Sequence, residues 1–403
     1  MKLLLSLPIA AVLATSTTAI VVAQHYTEVK LVSNRSGIAP VTDKFLINPW
    51  GLTRASGSPW WVSDNGTGFS SLYSGTGSIV PLDVSIPRSN PTTGPFKAGT
   101  PTGVISNGSA TDFLLAPGKP AVFIFATIDG TISGWNPTVG VPAGGSPPAT
   151  HSIIVVKTTD GSVFTGLTSA TINGKRYLYA ANFSKGRVDV FDNAFHKVTL
   201  ANIVGKDGDG DGDESNDVDQ PFTDERLPNN YVPFNVQAIG NNIVVTYALH
   251  EDGNPVETDG PGFGRVDIYS SSGQLLRSLA TGSWLNAPWG VALAPLDFGV
   301  FSHALLIGQF AGGGTSENSG TIAAYDLATG HFLGQLKDQG GATFAINGLW
   351  AISPGNAASA SSFDASAAPG AELYFTAGPN GGSGGLFGYI KPVASELVTG
   401  SDQ

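Results

Sequence analysis

Apolar residues along the chain fall in short alternating runs broken by glycine, proline and asparagine, and one such pattern recurs six times. Each copy opens with Gly or Asn beside an apolar pair, then a turn and a strand of aromatic and β-branched residues. A polar loop and a Gly-led strand follow. The clearest openings are Asn48-Pro-Trp-Gly-Leu52 and Asn286-Ala-Pro-Trp-Gly-Val291. Ala345-Ile-Asn-Gly-Leu349, Phe164-Thr-Gly-Leu167 and Pro233-Phe-Asn-Val-Gln237 are weaker copies, and a degenerate one falls near Thr111-Asp-Phe-Leu-Leu115. Second strands are predicted at Trp60–Asp64, Ala121–Phe125, Arg176–Ala180, Ile243–Tyr247, Ala304–Gly308 and Glu372–Thr376. Third strands follow at Ser70–Tyr73, Gly130–Trp135, Gly186–Phe191, Gly264–Tyr269, Gly320–Tyr325 and Gly384–Tyr389.

Short strands at even spacing, separated by Gly-rich turns and without helical periodicity, predict an all-β fold: a six-bladed β-propeller with four-stranded blades. A two-sheet sandwich would leave six copies of one motif unexplained. Tyr26-Thr-Glu-Val-Lys-Leu-Val32 alternates as a strand should and precedes the first copy. It is expected to close the ring as the outer strand of the last blade, which removes an exposed edge. Ser353–Pro369, rich in Ala and Ser, is expected as a loop within that blade.

The N-terminus changes the picture next. A cationic Met1-Lys2, an apolar run from Leu3 to Ala14 and small residues up to Val21-Val-Ala23 predict a signal peptide over 1–23. The mature chain, 24–403, is expected as a single secreted domain. No later run reaches the ~18 apolar residues of a membrane span. There are no cysteines, so stability must come from a large core, and thiol catalysis is excluded. A net charge of −11 argues against nucleic acid, whose phosphates require Lys and Arg.

In a propeller, first-strand starts and second-strand ends surround one mouth of the central channel. Polar residues there include Asp64, Asn182, Asn235 and Asn347, a set of oxygens suited to calcium or another divalent cation. The other reading is that these residues cap turns and satisfy backbone groups where strands end. His250 beside Glu251 ends an inner strand at the same mouth and is the candidate general base. No Gly-x-Ser-x-Gly elbow, His-Glu-x-x-His or phosphate loop occurs.

Asn-Gly-Leu followed by a strand ending in Asp or Asn resembles the blade motif of gluconolactonases and regucalcin, and is similar to NHL-repeat and strictosidine-synthase-like propellers. That resemblance implies a divalent cation held by Asn347 and Asp64, with Asn182 and Asn235 as weaker matches; the N-terminal Glu ligand of that pattern has no counterpart. Asn48-Pro-Trp-Gly-Leu52, Leu227-Pro-Asn-Asn-Tyr-Val-Pro-Phe-Asn-Val-Gln237, Tyr247-Ala-Leu-His-Glu-Asp252 and an Asp-rich insert also resemble an uncharacterised family of exported bacterial and fungal proteins. It implies a propeller fold and brings no activity.

The insert runs Lys206-Asp-Gly-Asp-Gly-Asp-Gly-Asp-Glu-Ser-Asn-Asp-Val-Asp219. Asp207, Asp209 and Asp211 with Gly212 match calcium-loop positions 1, 3, 5 and 6, but Val218 stands where an EF-hand has Glu. Asp207, Asp209, Asp211 and Asp213 are therefore expected to wrap one calcium without forming an EF-hand. Sequons begin at Asn34, Asn65, Asn107 and Asn182.

Two functions remain open on sequence. One is a secreted, calcium-stabilised propeller, a monomer, that binds an extracellular glycan, polypeptide or small molecule or acts as a scaffold. The other is a metal-dependent hydrolase or lyase at the channel mouth.

Overall fold

A small residue at the centre of each opening triplet sets the architecture. The triplets are Trp50-Gly51-Leu52, Thr102-Gly103-Val104, Thr165-Gly166-Leu167, Phe234-Asn235-Val236, Trp289-Gly290-Val291 and Trp350-Ala351-Ile352. In the structure, a computed structural model that describes residues 24–89, 99–200, 220–311, 319–355 and 372–397, each triplet lies on the innermost strand of one blade. A Cβ on Gly103 would stand 2.5 Å from the Leu167 amide nitrogen, and one on Gly290 would stand 2.7 Å from the Trp350 carbonyl oxygen. Six strands can converge on one axis only if their backbones meet this closely, and glycine permits it.

Six sheets form the ring, five of them running outward in chain order and the sixth completed by N-terminal strands. Blade 1 is Pro49–Thr53, Trp60–Asp64, Phe69–Tyr73 and Val84–Ser85; blade 2 is Pro101–Ser106, Phe123–Thr127, Thr131–Trp135 and Ile153–Lys157. Blade 3 is Phe164–Ile172, Lys175–Asn182, Arg187–Phe191 and Lys197–Val198; blade 4 is Tyr231–Ile239, Asn242–Leu249, Gly264–Tyr269 and Leu275–Ser278. Blade 5 is Pro288–Leu293, Leu305–Gln309, Ser319–Tyr325 and Phe332–Gln335. Blade 6 is Leu349–Pro354, Leu373–Ala377 and Leu386–Pro392, completed by Tyr26–Ser33 and the short parallel strand Val41–Thr42. The structure is thus an all-β six-bladed propeller.

Closure by the N-terminal strand takes the expected form. Tyr26–Ser33 runs antiparallel to Leu386–Pro392, in register from Tyr26 opposite Pro392 to Ser33 opposite Leu386, with a bulge between Lys30 and Val32. The buried Tyr26 hydroxyl donates to the Phe298 carbonyl at 2.8 Å, tying the seam to blade 5. His25 binds Glu396 through both its amide nitrogen and its ring.

Blade 2 corrects one expectation. Its inner strand is Pro101–Ser106, carrying Thr102-Gly103-Val104, whereas Leu114–Ala116 pairs only with Lys119–Pro120 in a small hairpin. The motif was hidden because Thr102 replaces the aromatic residue and no Phe precedes it as in blade 3; the Thr102 hydroxyl donates to the Phe164 carbonyl of blade 3 at 2.7 Å. Ser353 and Pro354 likewise close an inner strand rather than open a loop. The rest of that low-complexity segment, from 356, the signal peptide at 1–23 and the acidic insert at 207–219 lie outside the described residues.

Candidate functional site

Rings at the first triplet position decide which end of the channel is open. Trp50 and Trp350 stack with centroids 3.6 Å apart, and Phe310 stacks on Trp350 at 4.0 Å. Trp289 stands edge-on to both, at 6.2 and 5.7 Å, and Phe234 packs against the same pair at 6.5 and 6.0 Å. All three tryptophans and Phe234 are buried. The end of the ring at the first-strand starts, expected to be the mouth, is filled by these buried, mutually stacked and edge-on rings.

Amide side chains around this plug are engaged, some across blades and some within one. Asn48 Oδ1 accepts from the Trp350 indole at 3.0 Å, and Asn65 Nδ2 donates to the Pro101 carbonyl at 3.2 Å. Asn235 Nδ2 donates to the Trp289 carbonyl at 2.7 Å, and Gln309 Oε1 accepts from the Asn286 amide at 2.9 Å. Asn347 Oδ1 accepts from the Asn380 amide at 3.1 Å. Asn182 Nδ2 donates to Asp189 Oδ2 at 2.7 Å and to Ser162 Oγ at 2.9 Å.

Asp64 is fully buried inside blade 1. Its Oδ2 accepts from Ser71 Oγ at 2.6 Å and the Ser71 amide at 3.0 Å. Tyr73 extends the chain, its hydroxyl lying 2.8 Å from Asp43 Oδ2 and 2.9 Å from Ser71 Oγ. Burial pushes the Asp64 carboxyl well above its usual range, further raised by Asp43 and opposed by the Ser71 bonds. Among the described residues, no group of three His, Asp or Glu side chains stands close enough to hold a metal ion.

His250 lies against Phe183, centroids 4.8 Å apart, with Nε2 2.7 Å from the Asn254 carbonyl oxygen; Glu251 beside it is exposed. On the same loop, burial first and Asp259 second raise the half-buried Glu257 to about 7.

Among the described residues the opposite end is open. Where the inner strands end, a cavity of about 190 Å³ sits on the axis, with lining from all six. Its deeper wall is apolar: Leu52, Val104, Val291 and Ile352. Above these stand Thr53, Ser106, Ser169, Gln237 and Ser353, with Arg176 and Asn241 further out. Asn241 is bonded back to Thr171, through Oδ1 to its amide and hydroxyl and through Nδ2 to its carbonyl. The hydroxyls of Thr53, Ser106, Ser169 and Ser353 have no hydrogen-bond partner among the described residues. Among the described residues Arg176 is the one charged member of the lining, and Asp112 is its ion-pair partner at 3.9 Å.

Sequence comparison leads to proteins without an assigned role. Two uncharacterised proteins of Acanthamoeba polyphaga mimivirus are 27% and 26% identical to this chain, each over 80% of it and over 72% and 77% of their own lengths. No family model matches. Among solved structures, a streptogramin B lyase is similar at TM-score 0.44 and 11% identity, covering 92% of this chain and 98% of its own. A PQQ-bound aldose sugar dehydrogenase from Streptomyces coelicolor is similar at 0.45 and 12%, covering 91% and 98%.

Sequence reasoning named Gln237 among first-strand residues but missed the other cavity groups. A trace of them was present: two residues after the small triplet residue stand Thr53, Thr168, Gln237 and Ser353 in four of the six repeats. Of the sequon asparagines, Asn182 is fully buried and Asn107 donates to three carbonyls, so neither is free to carry a glycan.

Proposed function

We propose that the protein is a binding propeller that takes its ligand into the cavity at the inner-strand ends. One contrast carries this reading: the tryptophan-plugged end offers no entry, and the open end is lined by uncommitted hydroxyls. Among the described residues that lining holds no His, Asp or Glu, the residue types that most often move protons in catalysis. The ligand is an extracellular small molecule, a glycan end or part of a polypeptide, bound by a monomer. A metal-dependent hydrolase or lyase at the plugged end draws less support, because Asp64, Asn182 and Asn235 already hold their own and neighbouring blades together.

Two further parts of the reading rest on sequence alone. The apolar run from Leu3 to Ala14 supports export, and Asp207, Asp209, Asp211 and Asp213 support a stabilising calcium. No helix among the described residues is long and apolar enough to cross a membrane.

Thermal-shift screening of the chain from Gln24 against glycans, peptides and small polar molecules tests the binding reading. A ligand for the cavity shifts the melt of the wild type but not of Ser106→Trp, whose ring fills the space. Equal shifts in both proteins would place the ligand elsewhere and end this proposal.

A further inference from the structure

We infer that the cavity recognises one polyhydroxylated monoacid of monosaccharide size, such as a sugar acid, free or at the end of a glycan. This inference rests on the reading of the open end as a ligand site and names its ligand class.

Size comes first. A volume of about 190 Å³ holds roughly six waters at their liquid volume. That suits a single sugar ring. Shape and polarity agree with this. Leu52, Val104, Val291 and Ile352 offer an apolar floor for the C–H face of such a ring. The hydroxyls of Thr53, Ser106, Ser169 and Ser353 come from the four consecutive blades 6, 1, 2 and 3, so they face a guest along one contiguous arc of the ring, with Gln237 of blade 4 beside them. Each can donate and accept, which matches ligand hydroxyls that also do both. Groups left without a partner favour a guest that satisfies them, because an unpaired polar atom costs more once water is displaced.

Charge comes from Arg176. Its guanidinium makes no hydrogen bond to a described residue, only the 3.9 Å ion pair with Asp112. Asp112 is itself engaged, with Oδ1 accepting from Asn193 at 2.8 Å and Oδ2 from Ser109 at 2.6 Å. The planar fork of donors is thus free for an incoming carboxylate, which it fits with two parallel bonds. Among the described residues the lining carries no carboxylate, and the one carboxylate near the guanidinium is its ion-pair partner Asp112. A single guanidinium that already shares its charge with Asp112 matches one negative charge better than a phosphate dianion.

The experiment is calorimetric titration of the chain from Gln24 with sodium glucuronate, glucose, glucosamine and an oligosaccharide ending in glucuronate. Glucuronate is expected to bind at least about tenfold tighter than glucose or glucosamine, the low end for a charge-assisted hydrogen bond. Arg176→Gln is expected to erase that preference while leaving the melting temperature within a degree or two. Binding of the oligosaccharide as well would identify a glycan end as the source, and binding of the free acid alone a soluble metabolite. Equal binding of acid and neutral sugar, or an unchanged preference in Arg176→Gln, overturns the charged ligand while the cavity remains a sugar site. Failure of every sugar, with some other compound still blocked by Ser106→Trp, overturns the ligand class alone. Sugar binding that survives Ser106→Trp overturns the cavity reading with it.

Discussion

Trp50 and Trp350 lie face to face, ring centroids 3.6 Å apart, across the seam where the sixth blade meets the first. Trp350 is also held by its indole hydrogen bond to Asn48 Oδ1 and by Phe310 on its other side. One stack therefore does two things: it shuts one end of the channel and fastens the last blade to the first. Trp350→Ala is expected to cost about 3–5 kcal/mol through the lost packing and the cavity it leaves. Urea unfolding of the two proteins measures this, and a loss under 1 kcal/mol would mean that the seam holds without the stack.

Gly166 and Asn235 are coupled across the boundary between blades 3 and 4. A Cβ on Gly166 would fall on Asn235 Oδ1 and 2.8 Å from the Asn235 Cα, while Asn235 Nδ2 holds the Trp289 carbonyl of blade 5. Gly166→Ala and Asn235→Gly should each destabilise, by about 1–3 kcal/mol. Their combination should cost less than the sum by about 0.5 kcal/mol or more, since the second change removes part of the clash made by the first. Strict additivity in a double-mutant cycle would contradict the coupling.

Most of the fold was legible because the triplet repeats with an aromatic, a small residue and an aliphatic side chain. Blades 2 and 3 both carry Thr in place of the aromatic residue; blade 3 kept Phe164 ahead of its Gly-Leu pair, whereas blade 2 offered only Thr102-Gly103-Val104 and was misplaced. The site was less legible. Asp64 pairs with Ser71 and Asn182 with Asp189, each seven residues on across a strand turn, and a sequence does not display that register. Nor does a list of polar strand ends reveal that Trp50, Trp289 and Trp350 all fill the same mouth. Only Thr53, Thr168, Gln237 and Ser353 of the cavity's polar groups fall on a periodic position, and that trace was faint because Ile105 and Ala292 interrupt it.

Asp267 gives blade 4 a pH dependence. It is 1% exposed, and burial pushes its carboxyl up to about 6, with Asp224 adding to the rise and Ser278, Tyr269 and Arg226 opposing it. The folded protein therefore keeps a proton that the unfolded chain releases near pH 4. The stability this confers is complete below about pH 4 and lost as pH rises through about 6. The expected loss is about 3 kcal/mol across that window. Asp267→Asn has no such proton, so its stability relative to wild type should climb between pH 4 and 6 and then level off. A difference that stays flat from pH 4 to 8, in urea unfolding at each pH, would rule this out.

Calcium is the remaining prediction. Purified chain from Gln24 should retain calcium, chelation should lower its melting temperature, and added calcium should restore it, because a ligand bound only to the folded state stabilises that state. Replacing Asp207, Asp209, Asp211 and Asp213 together by Asn should abolish the chelator response. A melt indifferent to chelator, with no calcium found by elemental analysis, would leave the insert as a solvated acidic loop.

The strand Tyr26–Ser33 hydrogen-bonds to Leu386–Pro392, so an early-synthesised segment waits for one of the last to be made. Blades 1 to 5 each pair neighbours in the chain and can assemble as they emerge. Ring closure cannot, and the arc that precedes it carries two unpaired strand edges. Such an arc can close on itself or on the complementary edge of a second molecule. Dilution during refolding therefore favours the monomeric ring, and crowding favours exchanged pairs, although both products contain the same hydrogen bonds.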